Sequence, residues 1–176
     1  MLSRCTRLNF AATLFLTLAN SRTAAIVPGP NGFAGKWTAD PAQLQSAGST
    51  ALTASYTIAL SGDSIVATRV TTSTSGPLTN RFILHFDGKP RHNTLSVLAG
   101  PPEGPSEQID LDAMLTARIA GDTLSFSMSA EVQGSPVETK MRWVLAADGQ
   151  SFAERRDASH AGQAIAGEDV IFRRQP

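Results

Sequence analysis

An alternation of apolar and polar residues with a period of two constrains the fold of this chain more than any other feature. The stretch "DTLSFSMSAEV" shows it most clearly, because Leu124, Phe126, Met128, Ala130 and Val132 share one face and polar residues occupy the other. Successive side chains of a β-strand point to opposite faces of the sheet, so this period predicts a strand with one buried face. The next run, "PVETKMRWVLA", repeats the period, and the intervening "QGSP" predicts a hairpin.

The same pattern recurs along the rest of the chain. Alternating runs occur in "ALTASYTIAL", "SIVATRVTTS", "NRFILHF", "MLTARIA", "QSFAERR" and "EDVIFRR". The first run predicts an inner face of Leu52, Ala54, Tyr56, Ile58 and Leu60. Turn-forming residues separate the runs in "SGDS", "FDGKP", "AGDT" and "ADGQ". With further strands around Trp37 and in "HNTLSVLA", the sequence predicts an all-β fold, an antiparallel up-and-down β-barrel of about eight to ten strands.

Two segments interrupt the strand pattern. The segment "DPAQLQSAG" predicts a short helical turn after the first strand. The segment "AGPPEGPSEQID" contains three prolines and two glycines, which exclude a central strand and predict a long exposed loop.

The first 25 residues have the pattern of a signal peptide. Arginines in "MLSRCTRLN" precede the apolar stretch "FAATLFLTLA", which is too short to span a bilayer. Cleavage is expected after Ser21 or Ala25, residues 26–32 then form a short linker, and residues 33–174 form a single barrel domain. Cys5 lacks the preceding apolar residues of a lipid-anchor site. The sequence therefore predicts an exported protein, periplasmic or extracellular.

Charge and aromatic content limit the partners that this chain can have. The 15 basic residues balance the 15 acidic ones, and removing Arg4, Arg7 and Arg22 with the leader leaves 12 against 15. No basic patch stands out, so nucleic acid is not an expected partner. A membrane-spanning barrel needs aromatic girdles, whereas this chain has one tyrosine and two tryptophans and ends in "VIFRRQP". A water-soluble barrel is the expectation, and the oligomeric state is left open.

The start of the barrel carries the most specific motif. In "NGFAGKW", Phe33, Gly35 and Trp37 share the inner face of the expected first strand, with the glycine making room beside the tryptophan. This resembles the G-x-W signature of lipocalins and the wider calycin barrels. The chain is similar, loosely from Asn31 to Arg174, to small exported lipocalin-like proteins of bacteria, which share the "F.G.W" start, a "W.L..DG" hairpin and a final "V..R" strand. The resemblance implies that Trp37 plugs the closed end against a late arginine, Arg173 or Arg174.

No arrangement of residues in the sequence points to catalysis. His85, His92 and His160 are the only histidines, and the strand phase of "RFILHF" turns His85 outward, so a metal site is not expected. Acidic pairs at Asp110 with Asp112 and at Glu168 with Asp169 have the positions of solubilising or edge-protecting charges. No nucleophile, phosphate-binding loop or zinc-binding motif is present, and no cofactor is expected.

Charged residues in two strands raise the possibility of a ligand site. Arg69 shares a face with Ile65 and Ala67, and Glu154 and Arg156 share a face with Phe152. If these faces point inward, they place a polar anchor in an apolar cavity, as amphiphile-binding barrels require. The ligand-contacting set is then Arg69, Glu154, Arg156, Tyr56, Phe126 and Met128. The alternative is that Val66 and Val70 face the core and Arg69 faces water, or that Glu154 and Arg156 lie at a wet strand end.

Two functions are compatible with this pattern. The first is binding of a small apolar or amphiphilic ligand inside the barrel. The second is a barrel with a filled core that acts through its surface, as an envelope interaction or inhibitor module. An enzyme ranks third, because no acid, base or nucleophile can be singled out.

Overall fold

The computed structural model describes residues 29–46, 51–74, 76–99, 107–132 and 134–176. A 3-10 turn, Pro30–Phe33, precedes the first strand, and a short helix, α1 (Pro41–Ser46), follows it. The described strands are β1 (Gly35–Ala39), β2 (Ala51–Ser61), β3 (Ser64–Ser73), β4 (Gly76–His85), β5 (Arg91–Ala99), β6 (Glu107–Ala120), β7 (Thr123–Val132), β8 (Ser135–Leu145), β9 (Ser151–His160) and β10 (Gln163–Arg174).

The ten strands form a single antiparallel meander. Their hydrogen-bonded order is β4-β3-β2-β1-β10-β9-β8-β7-β6-β5. β1 closes the sheet, because Trp37 is in register with Tyr56 of β2 on one side and with Arg174 of β10 on the other. Each described strand forms a backbone ladder with the next described strand along the chain, except that β4 forms none with β5. The fold is therefore a nearly closed up-and-down barrel. The fold class predicted from the sequence is confirmed.

A side chain joins β4 and β5 where the ladder is missing. The backbone N–H of Ser96 donates to Oδ1 of Asn80 at 2.8 Å. Asn80 thus occupies the place of a backbone carbonyl at this seam, which we call the β4–β5 seam.

The alternation of residue type places apolar side chains inside the barrel. On β2, Ala54, Tyr56 and Ile58 are buried as predicted, but Leu52 is 47% exposed and Leu60 is 38% exposed. The register with β3 shifts around Leu52, between Ala51 and Thr53, which turns its side chain away from the core. Leu60 lies at the end of β2, next to the turn into β3, where the core no longer covers it.

Aromatic side chains fill one half of the barrel. The buried aromatic cluster consists of Phe33, Trp37, Tyr56, Phe126, Trp143, Phe152 and Phe172. Phe152 lies at its centre, with ring centroids 5.0 Å from both Trp37 and Phe172 and 5.2 Å from Trp143. Aromatic pairs at these separations add to the stabilisation from burial. This half of the barrel is therefore packed as a core.

The helical turn predicted after the first strand is present as α1. Asp40 caps it, because its Oδ1 accepts from the N–H of Ala42 at 2.9 Å and its backbone oxygen accepts from Leu44. Leu44 is completely buried, and α1 packs against β2 and β10. Gln43 adds a polar link, since its Oε1 accepts from the N–H of Ile171 at 3.0 Å.

Three boundaries differ from the sequence-based prediction. Phe33 lies in the 3-10 turn rather than on β1, although its ring still reaches the core. β6 begins at Glu107, so "EQID" at the end of the predicted loop is strand, because it pairs with β5. β9 and β10 extend to a two-residue turn at Ala161 and Gly162, with φ of 50° and 79°. That turn lacks the Asn-Gly or Asp-Gly pair by which such hairpins are recognised.

Some predictions lie outside the described residues. They concern the signal peptide of residues 1–25, the first part of the linker of residues 26–32, and the proline-rich part of the β5–β6 loop, residues 100–106.

Candidate functional site

The strand phases bring Arg69 and Glu154 together inside the barrel. Arg69 lies on β3 with the buried Ile65 and Ala67, and Glu154 lies on β9 beside the buried Phe152. The arginine is 7% exposed and the glutamate 2% exposed, and Arg69 Nη2 lies 3.4 Å from Glu154 Oε1. The alternative in which Arg69 faces water is wrong, because Arg69 is buried and its neighbour on β3, Val70, points outward instead.

The second oxygen of Glu154 has two further partners. Oε2 accepts from Tyr56 Oη at 2.7 Å and from Trp143 Nε1 at 2.8 Å. The Arg69 guanidinium also lies over the Tyr56 ring, with Cζ 5.6 Å from the ring centroid. Burying a carboxylate is costly unless charge and hydrogen bonds compensate it, and here both oxygens are engaged. We call these four residues the inner polar cluster.

Tyr56 has the role of a hydrogen-bond donor in the inner polar cluster. Burial raises the pKa of its hydroxyl well above the ordinary value of 10.0. The positive charge of Arg69 lowers this pKa, while the negative charge of Glu154 and the hydrogen bond to it raise it further. The phenol therefore stays protonated at neutral pH and holds the Glu154 carboxylate in place.

A cavity of about 410 Å³ adjoins the inner polar cluster. It lies toward the β3–β4 and β7–β8 connections, beyond the aromatic cluster. Its apolar lining residues are Ala51, Leu78, Phe82, Leu95, Val97, Met128, Val137 and Met141. Its polar lining residues are Arg69, Thr71, Ser73, Asn80, Ser96, Thr139 and Arg156.

Three of the six residues expected to contact a ligand line the cavity, and the other three do not. Arg69, Arg156 and Met128 line the cavity. Tyr56 and Glu154 lie beneath it in the inner polar cluster. Phe126 does not line it, because its ring packs edge-on against Trp143 at 5.2 Å in the aromatic cluster.

Arg156 has a different environment from Arg69. It follows Glu154 by two residues on the same face of β9, is half-buried and lines the cavity. Its backbone is in register with Met141 of β8 and with Glu168 of β10. Of the two cavity arginines, it lies farther from the packed core.

Several lining residues were not predicted from the sequence. Asn80, Phe82, Thr139 and Met141 belong to strands that the alternation identifies, and their phases agree with an inward orientation. What the sequence does not supply is the register between strands, which decides which inward residues lie at the level of Arg69 and Arg156.

Trp37 and Arg174 stack at the filled end of the barrel. The Arg174 Cζ lies 4.2 Å from the centroid of the Trp37 ring, and the tryptophan is completely buried. Gly35, with φ of 135°, leaves the space for this contact, because a Cβ there would meet Arg174 Nη1 at 2.6 Å. Arg173, the other candidate, is exposed on the outer face, since neighbouring strand residues alternate in direction.

Arg174 also binds three backbone carbonyls. Its Nε donates to Gly149 at 2.9 Å, and its two terminal nitrogens donate to Ala34 and Gly32, each at 2.6 Å. Trp37 Nε1 donates to the carbonyl of Phe33 at 2.8 Å. These bonds tie the 3-10 turn and the β8–β9 turn to the last strand.

The other titratable side chains of the described residues do not line the cavity. His85 and His92 lie near single carboxylates, Asp63 at 3.6 Å and Asp112 at 3.1 Å respectively. Within the described residues, no group of three or more histidine, cysteine or acidic side chains is arranged to hold a metal ion. The same residues include no helix long and apolar enough to cross a membrane.

Comparison with known proteins gives distant structural likeness only. No protein-family model and no curated protein matches the sequence. A secretory abundant heat soluble protein of Ramazzottius varieornatus has a TM-score of 0.48 and 8% identity, over 82% of this chain and 96% of that one. A Schistosoma mansoni fatty acid binding protein, solved with arachidonic acid, has a TM-score of 0.43 and 14% identity, over 85% and 100%. A zebrafish ileal bile acid-binding protein, complexed with cholic acid, has a TM-score of 0.40 and 14% identity, over 82% and 99%. Likeness at this level assigns no ligand to this chain.

Proposed function

We propose that this protein binds a small amphiphilic molecule, with an apolar body and one anionic head group, inside the barrel. The observation that carries the proposal is the cavity of about 410 Å³ that combines apolar walls with two arginines. Sites for small molecules are typically concave, ~300–1,000 Å³ in volume and mostly apolar, with a few polar groups that orient the ligand. The cavity has a volume in this range, and eight of its fifteen lining residues are apolar.

The apolar body would pack against the walls contributed by β4, β5, β7 and β8. Phe82, Met128 and Met141 lie on these walls, and all three are at most 7% exposed. Methionine side chains adapt their shape to an irregular partner, which suits a wall that contacts a flexible ligand.

Arg156 is the candidate anchor for the head group. The guanidinium of Arg69 is held by Glu154, which in turn is held by Tyr56 and Trp143. Arg156 lines the cavity on the same face of β9, two residues farther along the strand. A guanidinium presents paired donors that match a carboxylate, so it orients an anionic ligand as well as attracting it.

Titration of a fluorescent fatty acid into the protein tests this proposal. We expect saturable binding, and we expect Arg156→Gln to weaken it by roughly ten- to a hundredfold, since a hydrogen bond to a charged group contributes ~1.5–3 kcal/mol. Thr139→Phe, which fills the cavity from β8, should abolish binding while the fold is kept. Arg173→Gln is the matched control, because it removes an arginine from the outer face.

The outcomes separate the two functions considered from the sequence. Loss of binding in both cavity variants, with the control unchanged, supports the ligand-binding barrel. Absence of saturable binding to the unmodified protein, or equal binding by all variants, rejects it and favours action through the surface. Arg69→Leu is unsuitable as the head-group test, because stranding the buried carboxylate of Glu154 should cost ~3–5 kcal/mol of stability by itself.

We also propose that the protein is exported. The support is the leader-like pattern of residues 1–25, an arginine-bearing start followed by a largely apolar stretch.

A further inference from the structure

A second concave site lies on the outer wall of the barrel, across β6, β7, β8 and β9. Its volume is about 490 Å³. The outward residues of β7 at its base are Ser125 and Ser127, whose side chains are short. Longer side chains rise on both sides, Arg118 from β6 and Arg142 and Lys140 from β8. We call this concavity the outer trough.

Positive charge is concentrated in the outer trough. The strand register places Arg118, Ser125, Arg142 and Arg155 in one row across four strands. Lys140 lies opposite Ser127 of β7 in the next row, with Asp157 of β9 on its other side. Arg142 and Arg155 are thus directly opposite each other, and like charges in that position destabilise a sheet unless a counter-charge is present.

The carboxylates nearby lie beside Arg155 and Lys140 and not beside the two other cations. Arg155 binds Asp157 at 3.1 Å and Asp169 at 2.8 Å, on the side of the trough toward β10. No ion pair among the described residues includes Arg118, Lys140 or Arg142. Arg118 and Arg142 therefore have no carboxylate partner among the described residues, whereas Lys140 lies opposite Asp157, which also lines the trough. The trough keeps an excess of positive charge in a concave site.

The backbone opposite Arg118 helps to hold that side chain at the rim. Gly88, in the β4–β5 turn, has φ of 70°, and a Cβ there would meet the Arg118 guanidinium at 2.5 Å. The N–H of Gly88 also donates to the carbonyl of Ala117 at 3.1 Å, which fixes the turn against β6. The guanidinium is thus packed against backbone.

We infer that the outer trough binds a phosphate monoester group through Arg118, Arg142 and Lys140, with the hydroxyls of Ser125 and Ser127 as further donors. Neighbouring strands are ~4.8 Å apart, so Arg118 and Arg142, two strands apart, are separated by ~10 Å at Cα, a span that two arginine side chains can bridge over one oxyanion. Two arginines with a lysine beside them match a dianionic phosphate better than they match a singly charged carboxylate. The group could belong to a soluble phosphate ester or to a lipid head group.

The ligand is expected at the Ser125 end of the trough. Toward Ser129, Asp157 lies opposite Lys140 and β8 carries Glu138, and both carboxylates repel an anion. The inference does not depend on ligand binding inside the barrel, because the outer trough and the cavity lie on opposite faces of the wall.

Calorimetric titration with glycerol 3-phosphate, at physiological ionic strength, tests the soluble source. Sedimentation with vesicles containing phosphatidic acid, against vesicles of phosphatidylcholine alone, tests the lipid source. In whichever arm binds, the Arg118→Gln/Arg142→Gln double variant should weaken binding at least tenfold. The matched control is Arg173→Gln, another exposed outer-face arginine. Fatty acid binding inside the barrel and circular dichroism should be unchanged in all variants.

The inference is supported if the ligand binds in either arm, the double variant weakens that binding and the control does not. The arm in which binding occurs identifies the source of the phosphate group. Absence of binding in both arms overturns the inference. Equal weakening of binding by Arg173→Gln also overturns the inference, because binding would then depend on the net charge of the protein and not on the residues of the outer trough. Changes in the amide chemical shifts of Ser125 and Ser127 on adding glycerol 3-phosphate give an independent readout. If glycerol 3-phosphate binds saturably and these shifts do not change, the anion binds elsewhere.

Discussion

Glu154 shows how a charged residue is accommodated inside this barrel. Its two oxygens contact Arg69, Tyr56 and Trp143, residues from three other strands. Each contact compensates part of the cost of removing the carboxylate from water, and all of them link separate parts of the sheet. The inner polar cluster is therefore primarily structural, and it supports the floor of the cavity beside which Arg156 lies.

The single tyrosine of the chain provides a direct test of the inner polar cluster. Because the pKa of Tyr56 is raised well above 10.0 in the fold, the folded state keeps a proton that the unfolded chain loses at about pH 10. Stability contributed by this shift is fully present below pH 10 and is lost as pH rises above it. We expect tyrosinate absorbance in an alkaline titration to appear only as the protein unfolds.

Two measurements control this experiment. Protein unfolded in denaturant should titrate with an ordinary tyrosine pKa near 10. Circular dichroism, recorded at the same pH values, reports the fold. Tyrosinate that forms reversibly near pH 10, with the strand signal intact, would show that the Tyr56 hydroxyl is not buried against Glu154.

At the level of elements, some strands could be predicted well and others poorly. β7 and β8 have uninterrupted alternation, and the phase of β3 correctly gave an inward Arg69 as one of two arrangements. The beginning of β6 and the β9–β10 hairpin were missed, because pairing with neighbouring strands overrides weak local signals there. The cavity lining could not be predicted, since it depends on the cross-strand register and not on any one strand.

The β4–β5 seam is the element that should respond most to a single change. Replacing Asn80 by leucine keeps the side-chain size and removes the acceptor for the Ser96 N–H. We expect a loss of ~0.5–1.5 kcal/mol in the free energy of unfolding, the usual contribution of one hydrogen bond. The measurement that localises the effect is amide hydrogen exchange, which should accelerate at Ser96.

Thr79→Val is the matched control for the seam. Thr79 neighbours Asn80 on β4 but points outward, so its replacement should leave exchange at Ser96 unchanged. Protection of the Ser96 amide that is equal in both variants would show that Asn80 does not hold the two strands together.

The whole molecule combines a packed half with a hollow half. Phe152 and its aromatic neighbours fill the barrel around Trp37. The cavity of about 410 Å³ occupies the other half, with Arg156 on its wall. The inner polar cluster lies between them, since Tyr56 and Trp143 belong to the aromatic cluster and Arg69 lines the cavity. Stability is therefore expected to depend mainly on one half and ligand binding on the other.

A matched pair of phenylalanine truncations tests this division of the barrel. Phe172→Ala removes a completely buried ring that stacks on Phe152 at 5.0 Å, and it should cost ~3–5 kcal/mol in denaturant unfolding. Phe82→Ala removes a ring that borders the cavity, where contacts on one side are already missing, so its cost should be smaller. Fatty acid affinity should change in Phe82→Ala and stay unchanged in Phe172→Ala, measured where both variants are folded. Equal losses of stability in the two variants would contradict this division, because the barrel would then be one continuous core. A change of affinity confined to Phe172→Ala would also contradict it, because the ligand would then bind in the packed half.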